Sequence, residues 1–228
     1  MKIIKYDGTC NVYVEFQDKY KSIVHCKYQN FKNGYVKNPF DKNVLGIGCI
    51  GNTTTRENNK EKKSYRMWLE MMTRCYGNRK VTTNSYNDVI ICDEWHIFEN
   101  FENWFLENYY NINEERMTVD KDILIKGNRI YSPTNCLIVT QYINSLFASV
   151  NFNKIRCGTC FIKNYNMYKA SCKRIDSKNS FIGYYENIED AHNAYIITKR
   201  EVIRQIADKY KQEYKQFPNK VYQAMINY

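Results

Sequence analysis

The chain has 228 residues and a mass of 27.4 kDa, room for one large domain or two to three small ones. A surplus of 34 Lys and Arg over 24 Asp and Glu gives a formal charge of +10, and 43% apolar with 15% aromatic residues suffice to build cores, which argues against a disordered chain and favours an acidic partner such as nucleic acid. No apolar run approaches membrane-spanning length, MKIIKYDGTC lacks the pattern of a signal peptide, and the nine cysteines have no framework spacing, so reduced thiols in a cytoplasmic protein are expected, not a membrane span, a secreted disulfide scaffold or a repeat array.

Composition divides the chain into three expected parts of an α+β protein: residues 1–55, 56–150 and 151–228. The polar run NTTTRENNKEKK marks the first boundary and a shift after NSLF marks the second, as exposed linkers do. In the first part, NVYVEF and KSIVHCKY alternate in hydropathy around QDK and read as a β-hairpin. The glycines of GIGCIG (Gly46, Gly48, Gly51) lack both the third-glycine spacing and the following helix of a phosphate loop, so a tight turn is expected there.

In the second part Ser64 stands as a candidate N-cap before Trp68, Met71, Met72, Cys75 and Tyr76, which recur at helical spacing. Trp95, Phe98, Phe101, Phe105 and Tyr109 make a second stripe, and both stripes read as core. His96 beside the second reads as a hydrogen-bonded structural histidine. Residues 81–115 hold eight acidic and no Lys or Arg residues. That block is not expected to face a phosphate backbone and fits a solvated helix surface or a protein-contacting face.

The run MTVDKDILIKGNRIYSPTNCLIVTQYINSLF (117–147) reads as a strand through Val119, a turn at Lys126–Gly127–Asn128, a strand through Leu137–Val139, and a helix carrying Asn144. A hairpin followed by a helix brings Asp120, Asn135 and Asn144 toward one place. Carboxylate and amide oxygens are hard ligands suited to Mg²⁺ or Mn²⁺. Asp120 and Asp122 also share a face if the backbone is extended, an alternative two-carboxylate site.

From Val119-Asp120-Lys121 through Asn135-Cys136-Leu137-Ile138-Val139-Thr140 to Asn144, the chain resembles the phage and intron-encoded HNH endonucleases. YRMWLEMMTRCYGN and WHIFENFENWF are similar to the leader helices of phage relatives, and NVYVEF through GIGCIGN to their N-terminal piece. The resemblance implies a ββα-metal module in which Asp120 and Asn144 hold one divalent cation against the scissile phosphate and Asn135 braces the hairpin and orients the base. The family's base is a histidine where this chain has Lys121. A lysine at its ordinary pKa is protonated at neutral pH and cannot accept a proton. Three readings stay open: Lys121 neutralises the phosphate while the metal or Asp122 activates water, Lys121 is a base with a depressed pKa, or the site no longer cuts.

The third part carries 14 Lys and Arg against 7 Asp and Glu from residue 148 onward. GTCFIKN, MYKASCKR and SFIGYY read as three strands. Asn187 then caps a helix with Glu189 and Asp190 in its first turn and Ala191, Ala194, Tyr195, Thr198 and Val202 on one face. Alternation sets Lys169, Ser171 and Lys173 opposite Tyr168, Ala170 and Cys172. Over about residues 158–195 this unit resembles the DNA-binding domain of plant ethylene-response factors, which implies a sheet entering the major groove with Arg156, Lys163, Lys169, Lys173 and Arg174 on DNA. The Trp usual before the second strand's alanine is absent, so base specificity does not carry over. Cys157-x-x-Cys160 has only Cys172 and His192 as further ligand candidates, short of a structural zinc site, and Cys160 is expected in the small core.

The expected function is that of a metal-dependent endonuclease acting on double-stranded DNA in the cytoplasm, the host's if the chain is phage-encoded. Its competitor is a nuclease-derived protein that holds DNA or a host protein without cutting. RNA binding through the tyrosine-rich sheet is a third reading.

Overall fold

The computed structural model describes residues 1–77, 88–148, 157–175 and 180–228. They form two compact units, Met1–Glu107 with Arg129–Pro133, and Asn108–Asn128 with Thr134–Tyr228. The boundary expected near 55 falls inside the first unit. The expected break at 148–156 lies almost wholly outside the described residues, and the segment before it belongs to the same unit as the C-terminal third.

The first unit opens on an antiparallel sheet of β1 (Lys2–Tyr6), β2 (Val12–Glu15) and β3 (Ile23–Cys26). The β2–β3 pair is the hairpin legible in the alternation, with Val14 opposite Val24, and Val12 and Val14 fully buried. After a short helix α1 (Tyr28–Lys32), GIGCIG makes a turn in which Gly48 N–H donates to Val44 O at 2.9 Å and Gly46 takes φ +71°. The ribbon of β4 (Arg56–Glu57) and β5 (Lys60–Glu61) leads into α2 (Lys63–Tyr76). Trp68, Met71 and Met72 are buried on α2, and a side chain at Gly48 would collide with Trp68 and Met72.

Ser64 is not the N-cap of α2. Lys62 occupies that position, while Ser64 is the second residue of the helix, buried, and donates to Glu102 Oε1 at 3.0 Å. The pull of a buried carboxylate outweighs the capping preference of serine. Short β6 (Ile90–Ile91) and a 3₁₀ turn, Asp93–His96, precede α3 (Phe98–Asn108), which buries Phe98, Phe101, Trp104 and Phe105. Tyr109 falls past the end of α3 and is only half-buried. Trp68 Nε1–H donates to Trp95 O at 2.7 Å, tying the two apolar stripes together. His96 Nε2 meets Tyr76 Oη at 3.2 Å, and burial holds its imidazole below the usual histidine range.

The second unit begins with β7 (Met117–Asp120). β8 (Ile130–Tyr131) returns to the first unit, where it pairs in parallel with β6. The chain then comes back as β9 (Leu137–Thr140), antiparallel to β7 with Asp120 opposite Leu137, and continues as α4 (Gln141–Ala148) packed on both strands. A second antiparallel sheet, β10 (Thr159–Ile162), β11 (Met167–Ser171) and β12 (Phe181–Tyr185), is covered by α5 (Ile188–Glu213). Asn187 caps α5: its Oδ1 accepts from Asp190 N–H at 2.8 Å, and Glu189 and Asp190 occupy the first turn.

The buried stripe of α5 is Ala191, Tyr195, Lys199, Val202 and Ile206, with Ala194 and Thr198 half-buried at its margin. The helix runs past the small sheet to Tyr210, whose ring stacks 6.5 Å from that of Tyr142 on α4 and whose hydroxyl donates to Glu115 at 3.0 Å. Finally α6 (Asn219–Ile226) packs back on α5, burying Val221 and Met225. No helix among the described residues is long and apolar enough to cross a membrane.

Candidate functional site

Asp120 ends β7 with its side chain 8% exposed. Its Oδ1 accepts from the backbone N–H groups of Asp122 at 2.8 Å and Ile123 at 2.7 Å, so the carboxylate itself turns the chain out of the strand, as aspartates do at turns. Burial pushes its carboxyl up to about 6. The two N–H donors and the nearby Lys121 ammonium pull the other way without prevailing, and the neighbouring Asp122 carboxylate adds to the rise. Oδ2 receives no hydrogen bond from a described residue. A buried carboxylate left this poorly compensated is costly unless something else meets its charge.

Lys121, the next residue, is 7% exposed. Its Nζ donates to Asp122 Oδ2 at 2.7 Å and to Asn128 O at 2.8 Å, and Asn128 Nδ2 donates back to Lys121 O at 3.0 Å. The loop between the strands is thus latched at both ends, and its turn at Ile125–Asn128 uses Gly127 at φ +74°. The two charged side chains that follow Asp120, Lys121 and Asp122, are paired with each other.

Asn135 lies two residues ahead of Leu137, the strand partner of Asp120, and so near the same end of the strand pair. It is half-buried, and its Oδ1 accepts from Thr134 Oγ1 at 3.1 Å. Asn144 is half-buried on α4, between buried Ile143 and Leu146. Gln141 N–H donates to Arg116 O at 2.7 Å, so α4 starts level with the beginning of β7. Near its other end the Phe147 ring meets that of Tyr228 edge-on at 4.5 Å. Burial, with the Asp122 and Asp120 carboxylates behind it, pushes the Tyr228 phenol up to about 12. The Tyr228 phenol therefore lies within electrostatic reach of the two aspartates, an approach across more than a hundred residues that no local sequence signal announces.

A groove of about 530 Å³ opens next to Tyr228, lined also by Arg200, Glu201 and Arg204 of α5 and Met225 of α6. Among the described residues, no group of three or more His, Cys, Asp or Glu side chains is gathered as a metal cage.

The sheet of β10–β12 has one side under α5 and one side open. Ala170 and Cys172 are buried on the α5 side, as alternation requires. On the open side, Lys169 stands opposite Tyr184 and its Nζ lies 5.8 Å from the centroid of Phe181. Tyr184 in turn contacts Phe181 at 5.0 Å and Tyr165 at 5.2 Å. This basic and aromatic cluster was hidden from alternation because β12 carries an irregularity where Ala170 pairs with Gly183 but Ser171 with Phe181, which brings Phe181 round to the lysine.

Lys163 is exposed in the 3₁₀ turn after β10, and Lys173 and Arg174 are exposed just past β11. Arg156 lies outside the described residues. Cys160 does not enter the small core. It is exposed, because it pairs with Lys169 and shares that residue's side of the sheet. Compared with protein-family models, curated proteins and solved structures, the chain matches none.

Proposed function

We propose that this protein binds double-stranded DNA through the open face of its C-terminal sheet and hydrolyses a phosphodiester with a divalent cation held at Asp120 and Asn144, in the manner of the HNH endonucleases it resembles. The observation that carries the reading is the strand pair β7–β9 with α4 packed across it, holding at one strand end a buried aspartate whose Oδ2 no described side chain or N–H satisfies. Carboxylate and amide oxygens fit Mg²⁺ or Mn²⁺ better than zinc, and Mg²⁺ commonly takes only one or two protein carboxylates and keeps several waters.

A cation held there supplies Lewis-acid stabilisation of the phosphoryl oxygens. Asp120 and Asn144 hold it, and Asn135 keeps the strand end in place. Lys121, with its ammonium tied to Asp122, supplies positive charge toward the phosphate, and Asp122 is the carboxylate nearest to hand for taking a proton from water. Lys169, Lys173, Arg174 and Lys163 meet backbone phosphates, which positions the duplex without specifying its sequence, while Phe181, Tyr184 and Tyr165 offer apolar faces to the groove.

The second reading, a DNA-binding protein that no longer cuts, is favoured by one observation: Lys121 and Asp122 are locked in an ion pair at 2.7 Å, so neither stands ready as a base. Incubating the full chain with supercoiled plasmid and Mg²⁺ or Mn²⁺ separates the two. Nicking or linearisation that falls at least about a hundred-fold in Asp120→Ala and Asn144→Ala, with binding retained, supports the enzyme. Binding without cutting, together with cutting gained in Lys121→His, supports the relic.

A further inference from the structure

Beneath α5, on the side of the sheet away from the basic cluster, two thiols lie together with a buried lysine. Ser171 N–H donates to Gly158 O at 2.8 Å, so the pairing of β10 with β11 extends one residue beyond Thr159–Ala170 and leaves Cys157 and Cys172 as the next residues on the two chains. Cys172 N–H turns the other way, to Ser180 O at 2.7 Å, so no ladder bond joins Cys157 and Cys172 through that amide. Facing residues at such non-bonded positions lie about 4.5 Å apart between Cα atoms, inside the roughly 4.4–6.8 Å that a disulfide spans.

Both thiols point toward α5. Cys157 Sγ is 3.6 Å from Tyr195 Oη, Cys157 O meets His192 Nδ1 at 3.2 Å, and Cys172 is 4% exposed. Lys199, 8% exposed, makes no hydrogen bond or ion pair with a described residue, and its ammonium interacts electrostatically with both sulfurs. Burial raises the Cys172 thiol while Lys199 and Arg174 oppose that rise.

We propose that Cys157 and Cys172 are an oxidation site, closing to an intramolecular disulfide when the protein meets a low-molecular-weight disulfide such as oxidised glutathione. The half-buried Cys157 reacts first: its thiolate attacks one glutathione sulfur, that S–S bond breaks, and one glutathione thiolate leaves and takes up the proton. The Cys172 thiolate, formed beside the Lys199 ammonium, then attacks Cys157 Sγ and expels the second glutathione, which takes up the second proton. Two protein thiols are oxidised and one glutathione disulfide is reduced to two thiols. Cys160 is not the partner, because it stands on the opposite side of the sheet with Lys169. The bond ties β10 to β11 immediately ahead of Lys173 and Arg174. The site stands independently of the nuclease reading, since its readout is covalent.

The test is a peptide map of the folded full chain after incubation with oxidised glutathione, blocking of free thiols under denaturing conditions, and proteolysis. The expected result is a Cys157–Cys172 linked peptide pair that survives Cys160→Ser, disappears in Cys157→Ser and reverts on reduction. Cys157 recovered joined to Cys160, or Cys157 joined only to glutathione while Cys172 is recovered as a blocked thiol, overturns the proposal. Because the decisive map uses wild-type protein, misfolding of a variant does not obscure it, and far-UV circular dichroism checks Cys157→Ser.

Discussion

Replacing Asp120 by asparagine keeps a side-chain oxygen for the N–H groups of Asp122 and Ile123 and removes the buried charge. In the folded chain the carboxyl titrates at about 6, against an ordinary value of 3.8, so between those values the folded state binds more protons than the unfolded one. Stability therefore falls as pH rises from about 4 to 6, and the deficit is fully present above that range. At about 1.4 kcal/mol for each tenfold change, the ionised carboxylate costs roughly 3 kcal/mol at pH 8 and almost nothing below pH 4. Asp120→Asn should thus raise stability by about 2–3 kcal/mol at pH 8 and leave it nearly unchanged near pH 4, as read by urea denaturation at each pH. Millimolar Mg²⁺ or Mn²⁺ should stabilise the wild-type chain at pH 8 and leave the variant unmoved. A variant less stable than wild type at pH 8, or a stability difference independent of pH, would refute the reasoning that burial dominates this carboxyl.

Lys169→Ala and Lys173→Ala should each weaken duplex binding and flatten the dependence of log affinity on log salt by about one unit of slope, measured by fluorescence anisotropy. Unchanged slopes would remove the open sheet face from the interface. Gly158→Ala should destabilise by about 2–4 kcal/mol, because Gly158 sits at φ +72° and its new Cβ would overlap the Tyr195 ring; thermal unfolding reads this. Glu102→Ala should cost about 2–4 kcal/mol in the same assay, since half-buried Lys62, at 3.0 Å, and buried Ser64 both lose their carboxylate partner.

The strands β10, β11 and β12 and the cap at Asn187 were legible because every signal is local: alternation over four or five residues, turn residues between, and a capping amide three positions ahead of Asp190. The β2–β3 hairpin was legible for the same reason. What escaped was set by distant partners. Ile130 and Tyr131 leave the hairpin loop because Ile90 and Ile91 offer them a parallel edge, and nothing in either short apolar pair announces the other. Ser64 looks like a cap until Glu102, on another helix, is seen to hold it. At the candidate site, Asp120, Asn135 and Asn144 could be singled out by spacing, yet the pairing of Lys121 with Asp122 and the arrival of Tyr228 depend on loop closure and on the final helix. The length of α5 was also missed, since its later apolar residues serve a different core from its earlier ones.

That length has its own consequence. At 26 residues and about 1.5 Å per residue, α5 is a rod of about 39 Å with no glycine or proline inside it. Its first turns seat the small sheet and its later turns seat Tyr142 of α4. Under the proposed function, this single stiff strut would fix the distance from the DNA-holding sheet to the β7–β9 strand pair, a span comparable with one turn of B-form duplex at about 34–36 Å. On such a frame, scission would fall at a constant offset from wherever the sheet takes hold.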